Sequence, residues 1–164
     1  MAQEQPIELP ALLTETTIAL DELVRDWEEA IRRAGALLLQ QGAVQQRYVE
    51  AMVGAVKELG PYMVIAPGIA LAHARPEDGV LRVCMSMVRL SQPVEFGSAA
   101  NDPVDLVFGL GGVDHEQHLR ALKQLALLLQ REKAVACLRQ ARSVSEALAI
   151  IRGSATSAGD ATDG

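Results

Sequence analysis

The sequence predicts an α/β protein in which helices pack on a sheet. Apolar residues recur at helical spacing in blocks that fall before, between and after short runs of strand character, the pattern of a layered chain. One of those runs, Val104 to Leu110 (V-D-L-V-F-G-L), is almost continuously apolar, as a strand covered on both faces is. The 164 residues are 49% hydrophobic and 22% charged, which suits one globular domain with a substantial core.

In chain order, the polar start is read as loose, followed by a short helical stretch at Leu9–Leu13 and a brief strand at Thr17–Leu20. Asp26 with Glu29 three positions later has the form of a capping box. Trp27, Ala30, Ile31, Ala34 and Leu38 then follow on one helical face, and Gly42 suits the residue just past the end. A second helix spans Gln45 to Leu59, with Tyr48, Met52, Ala55, Val56 and Leu59 on one face. Gly60-Pro61 stops it, because glycine accepts the left-handed cap and proline cannot continue the helix.

Tyr62–Ile65 and Ile69–Ala72 read as short extended pieces on either side of Pro67-Gly68, and Pro76 to Gly79 as a type I turn. Leu81–Leu90 is a strand of mixed alternation. The segment Ser91 to Pro103, with two prolines and an N-D-P turn signal, is a linker. Gly111-Gly112 closes the Val104 strand. Asp114 with Gln117 caps a long helix whose expected stripe is Leu119, Leu122, Leu125, Ala126 and Leu129. Helices at Glu132–Gln140 and Ser143–Ile151 complete a single domain over residues 1–152. Gly153 to Gly164 lacks periodicity and reads as a disordered tail.

Composition excludes several functions. Fifteen basic against 21 acidic side chains give a net charge of −6, no support for a nucleic-acid groove. No window approaches the ~18 apolar residues of a membrane span, and the acidic start lacks the basic region of a secretory signal. Cys84 and Cys137, without a C-x-x-C, read as two reduced core thiols in a cytoplasmic chain. Aromatic residues make up only 3%, which leaves little to stack on a sugar ring or a base; the protein is not expected to hold a sugar itself.

Chemistry therefore falls to the histidines. His73 ends the Ile69–Ala72 strand and precedes a loop, where a side chain is both held and reachable. The same position suits a histidine that only terminates a strand. His118 lies in line with Leu122, Leu125 and Leu129 near the N-terminus of its helix, facing inward, where backbone N–H groups and the helix dipole favour an anion. It could equally be a core-edge histidine bonded to a carbonyl. His115 should face solvent. H-E-Q-H places its histidines three apart rather than four, so no zinc site is expected. No dinucleotide fingerprint, phosphate loop or serine elbow is present. Two histidines without a cofactor site permit phosphoryl transfer, because neutral imidazole is a good nucleophile near pH 7.

Gly60-Pro61-Tyr62 with A-P-G-I-A-L-A-H-A-R-P-E-D-G-V (66–80), N-D-P-V-D-L-V-F-G-L (101–110) and H-L-R-A-L-K-Q-L-A-L-L-L (118–129) resemble the mannitol/fructose-type enzyme IIA components of the bacterial sugar phosphotransferase system, closest to the ascorbate-specific branch. The likeness covers residues 8–152. It implies an α/β fold with a mixed sheet flanked by helices on both faces. His73 matches the family histidine that accepts a phosphoryl group from the phosphocarrier protein HPr and passes it to a cysteine of enzyme IIB, which serves the membrane enzyme IIC. His118 matches the second active-site histidine. Lys57 stands, counting back from His73, where the family has an arginine, and Arg75 is a further candidate for the phosphoryl charge. With proteins as donor and acceptor, the resemblance implies no cofactor and no metal.

Two departures bear on activity. Ala72 replaces the proline that usually precedes the nucleophile, so φ is less constrained. Lys57 keeps the charge of the arginine but loses its bidentate fork. Both leave open a regulatory member that signals through His73 phosphorylation or has lost transfer. The branch implies ascorbate or a related sugar or sugar alcohol. An exposed apolar patch would favour a homodimer.

Overall fold

The computed structural model describes residues 7–156; the loose start, for positions 1–6, and the disordered tail, for positions 157–164, lie outside them. Its elements are α1 (Leu9–Leu12), β1 (Ile18–Glu22), α2 (Trp27–Gln40), α3 (Gln46–Leu59), β2 (Val64–Ala66), β3 (Ile69–Ala72), a 3-10 turn at Pro76–Asp78, β4 (Cys84–Val94), β5 (Val104–Gly111), α4 (His115–Leu129), α5 (Glu132–Gln140) and α6 (Val144–Thr156). The five strands form one sheet in the order β1-β4-β5-β3-β2. β1 is parallel to β4 and β3 is parallel to β5, whereas the β4–β5 and β2–β3 pairs are antiparallel, so the sheet is mixed.

Each face of the sheet carries helices. Ala30, Ile31, Ala34 and Leu38 of α2 and Tyr48, Val49, Met52 and Val56 of α3 pack over Ala70, Ala72, Val88 and Val107. On the other face, α1, α4, α5 and α6 bury Leu12, Leu125, Leu138 and Ile151 against Ile69, Leu71, Met87, Phe108 and Leu110. Strand alternation makes this division, since neighbouring residues point to opposite faces. The near-continuous apolar run of β5 follows directly, because both of its faces are covered.

Helix starts follow the expected chemistry. The Asp26 side chain accepts the Glu29 N–H and the Asp114 side chain accepts the Gln117 N–H, each satisfying a first-turn donor. Gly42 and Gly60 take positive φ just past α2 and α3. Other expectations need correction. β4 begins at Cys84, with Leu81 exposed, and runs on through Pro93 to Val94 into the expected linker; its register against β5 shifts between Arg89 and Val94. α6 continues to Thr156, so its last turn takes up positions 153–156 of the expected tail. Cys84 is buried, which pushes its thiol up to about 12, but Cys137 is exposed on α5 rather than a core thiol. Among the described residues, no helix is long and apolar enough to cross a membrane.

Candidate active site

Parallel strands β3 and β5 end at the same edge of the sheet, their ladder closing at the Ala72–Gly109 pair. Sites in open α/β sheets form outside the carboxyl ends of strands, and His73 is the first residue past β3. Along β3, Ile69 and Leu71 belong to the core beneath α4, so the two-residue period sends the His73 side chain toward α4 as well. From the other strand, β5 passes through Gly112, Val113 and the cap Asp114 into α4, whose fourth residue is His118. The two ring centroids lie 5.5 Å apart. Tyr62 completes the group, its ring edge-on to His73 at 5.5 Å.

These rings sit in an open cleft of about 800 Å³. Ala51, Gly54 and Ala55 of α3 leave space on one wall, and Leu119 and Leu122 of α4 form another. Arg75 also lines the cleft, with Glu58, Asp78 and His115. His115 is exposed, in keeping with its expected position. The buried stripe of α4 is Ala121, Leu125 and Leu128, so the expected stripe is displaced: Leu119 and Ala126 are exposed.

Hydrogen bonds assign the rings' chemistry. His73 Nδ1 lies 2.9 Å from the Leu71 carbonyl oxygen. A carbonyl only accepts, so Nδ1 carries the proton and the Nε2 lone pair is free. His118 behaves differently. Its Nδ1 is buried without a hydrogen-bond partner among the described residues, which is not the carbonyl-bonded histidine of a satisfied core edge. Burial first, then the neighbouring His73 and His115, push the His118 proton affinity below its ordinary value and favour the neutral ring.

The other two candidate residues differ in placement. Arg75 points its guanidinium at Asp78, Nε and Nη2 each 3.4 Å from a carboxylate oxygen, while its side chain stays 74% exposed. It is therefore free to exchange that partner at small cost, since exposed ion pairs contribute ~0–1 kcal/mol. Lys57 is not brought to the cleft. It lies on another face of α3, Nζ 3.3 Å from Glu28 of α2 and 60% exposed.

Two further residues lie where these segments meet. The Tyr48 hydroxyl donates to the Leu110 carbonyl oxygen (2.5 Å) and accepts the Ala74 N–H (3.0 Å). In the sequence Tyr48 is only one member of an apolar stripe. Gly112 lets α4 approach the end of β5. A Cβ there would lie 2.5 Å from the His118 nitrogen and 2.7 Å from its Cα. Neither contact is a flexible tip, so Gly112→Ala must displace the first turn of α4. Overpacking of this kind costs ~1–3 kcal/mol. The variant should melt several degrees lower, which thermal denaturation checks.

Residues 11–154 match the family described as "Phosphoenolpyruvate-dependent sugar phosphotransferase system, EIIA 2". The chain is 36% identical over 142 residues to the ascorbate-specific PTS system EIIA component of Salmonella choleraesuis, covering 86% of this chain and 92% of that protein. Among solved structures it resembles the mannitol-specific cryptic phosphotransferase enzyme IIA of Escherichia coli, with TM-score 0.80, 33% identity, and coverage of 88% of this chain and 97% of the other. It also resembles enzyme IIA of the E. coli mannitol system, solved in complex with phosphorylated enzyme IIB, with TM-score 0.76, 29% identity, and coverage of 87% and 99%. A sequence match over nearly the whole described chain and a common three-layer fold lead to one conclusion: the protein belongs to the EIIA 2 family of the phosphoenolpyruvate-dependent sugar phosphotransferase system.

Proposed function

We propose that this protein is a cytoplasmic phosphocarrier that accepts a phosphoryl group from phospho-HPr on Nε2 of His73 and passes it to a cysteine of enzyme IIB. The sugar served is ascorbate or a related sugar or sugar alcohol, a reading supported by the 36% identity to an ascorbate-specific component. The observation that carries the mechanism is the His73 ring. Its Nδ1 is fixed by the Leu71 carbonyl and its Nε2 is free, beside a second histidine with an unpartnered nitrogen.

The step needs little covalent help from the protein. The Nε2 lone pair forms a bond to phosphorus as the bond from phosphorus to the donor's nitrogen breaks. No proton leaves the attacking nitrogen, and the Nδ1 proton stays on Nδ1, donated to the Leu71 carbonyl oxygen. In the second transfer the cysteine thiolate of enzyme IIB attacks phosphorus, and the Nε2–phosphorus bond breaks with its electron pair returning to Nε2 of His73. Positioning and charge stabilisation carry most of the work in phosphoryl transfer. In this reading the His118 ring, its centroid 5.5 Å from that of His73, hydrogen-bonds a phosphoryl oxygen, and the start of α4 and the exposed Arg75 add positive potential.

Leu59, Tyr62 and Leu119, all exposed apolar side chains, line the cleft beside His73. We read them as contacts for the two protein partners rather than as a homodimer surface, since covering them would close access to Nε2. In this reading both the donor and the acceptor of the phosphoryl group are proteins.

Incubation with enzyme I, HPr and phosphoenolpyruvate should load one acid-labile phosphoryl group, which then moves to an ascorbate-type enzyme IIB. No adduct would refute the carrier reading, and an adduct that never moves on would favour a regulatory role. Lys57→Ala should change the rate less than about twofold, because its exposed pair with Glu28 contributes at most about 1 kcal/mol to stability and lies off the cleft. A tenfold loss in the same assay would return Lys57 to phosphoryl binding.

A further inference from the structure

The ladder that joins β3 to β5 ends at Ala72 and Gly109, so His73 lies just beyond the last backbone pairing. The next link between the two segments is made by a side chain. Tyr48, fully buried on α3, places its hydroxyl between Ala74, the residue after His73, and Leu110 of β5. It accepts from the Ala74 N–H and donates to the Leu110 carbonyl oxygen, and it lies 3.3 Å from the Ala74 carbonyl as well. Leu110 continues through Gly111 to Gly112, which abuts the backbone of His118. One hydroxyl therefore ties together the two segments that present the facing rings.

We propose that Tyr48 is a positioning residue, whose hydroxyl sets the separation of His73 and His118 by extending the β3–β5 pairing one rung past the backbone ladder. The assignment rests on the reading of His73 as phosphoryl acceptor. Tyr48 does not line the cleft, so it acts through Ala74 and Leu110 and touches neither the phosphoryl group nor a docked partner. Burial raises its ionisation well above the ordinary tyrosine range, which keeps the hydroxyl a donor at any working pH.

Tyr48→Phe keeps the ring packing and removes the oxygen. Its phosphorylation by phospho-HPr should fall at least about tenfold. Burial holds the His118 pKa down most and the neighbouring His73 adds to it, so in an NMR titration that pKa should rise as His73 moves away. Val53→Ala, which loosens the same helix without touching either hydroxyl bond, should leave both readouts near wild type. A folded Tyr48→Phe protein with wild-type rate and unchanged His118 titration would overturn the proposal. Should that variant not fold, the Ala74 amide of the intact protein decides: slow hydrogen exchange supports the bridge, and exchange at the rate of an open loop refutes it. The titration and the exchange need no phosphoryl donor. A wild-type protein that accepts no phosphoryl group therefore refutes the phosphocarrier reading and leaves the Tyr48 bridge to be judged on those two readouts.

Discussion

His73→Ala should abolish the acid-labile phosphoryl adduct, a fall of at least about 10³-fold, or more than ~4 kcal/mol of transition-state stabilisation. No other ring nitrogen can take over without moving. His118 keeps its own place on α4, and His115 is an exposed residue at the helix start. The fold should survive the change. His73 lies past the end of β3, partly exposed, and its ring hydrogen-bonds the nearby Leu71 carbonyl. Losing it should cost about 1 kcal/mol, the usual worth of one such bond. Unchanged circular dichroism together with a missing adduct is the expected pair of results.

His118→Ala should slow phosphorylation by about 10²–10³-fold with the fold retained, the usual cost of removing one positioned donor from a developing charge. Unlike a histidine satisfied within a core, His118 has a buried Nδ1 with no hydrogen-bond partner among the described residues. A pH series separates this role from a structural one. The proton affinity of His118 is lowered in the folded protein, so as pH falls below ~6.5 the unfolded chain takes up its proton first and stability declines. That contribution is present above the unfolded pKa and is lost as pH falls through the folded one. His118→Ala should therefore lose less stability than wild type between pH 7.5 and 5.5 in denaturant titrations; a variant phosphorylated at the normal rate would remove His118 from the mechanism.

Much of this site is legible in the sequence, and the reason is local. Helix boundaries at Asp26, Asp114 and Gly60-Pro61 depend on capping chemistry that each segment carries within itself. The placement of His73 required only a strand and a turn. Features that depend on distant partners were not legible. Tyr48 looks like any other member of an apolar stripe, because periodicity reports which face a residue occupies and not what its hydroxyl meets 26 and 62 positions away. Gly112 reads as a strand stop, while its close approach to His118 appears only once β5 and α4 are packed.

Lys57 shows the limit of counting. The spacing from His73 transfers a position, but the phase of α3 decides the direction of its side chain, and here that direction leads to Glu28. The stripe of α4 shows a similar limit. Leucines occupy both its buried and its exposed sides, so Leu119 and Ala126 match helical spacing yet face away from the sheet. Leu119 is left on the cleft wall, where an exposed leucine is available to a docking protein. β4 passes through Pro93 because its register against β5 shifts between Arg89 and Val94, a tertiary allowance that composition does not reveal.

The most direct test of the account is the position of phosphorus on the wild-type protein. After loading from phosphoenolpyruvate through enzyme I and HPr, heteronuclear NMR of the imidazole nitrogens should show a single phosphohistidine, at His73, with phosphorus on Nε2 and the Nδ1 proton retained against Leu71. Phosphorus on Nδ1, on His115 or on His118, or no phosphohistidine at all, would contradict it.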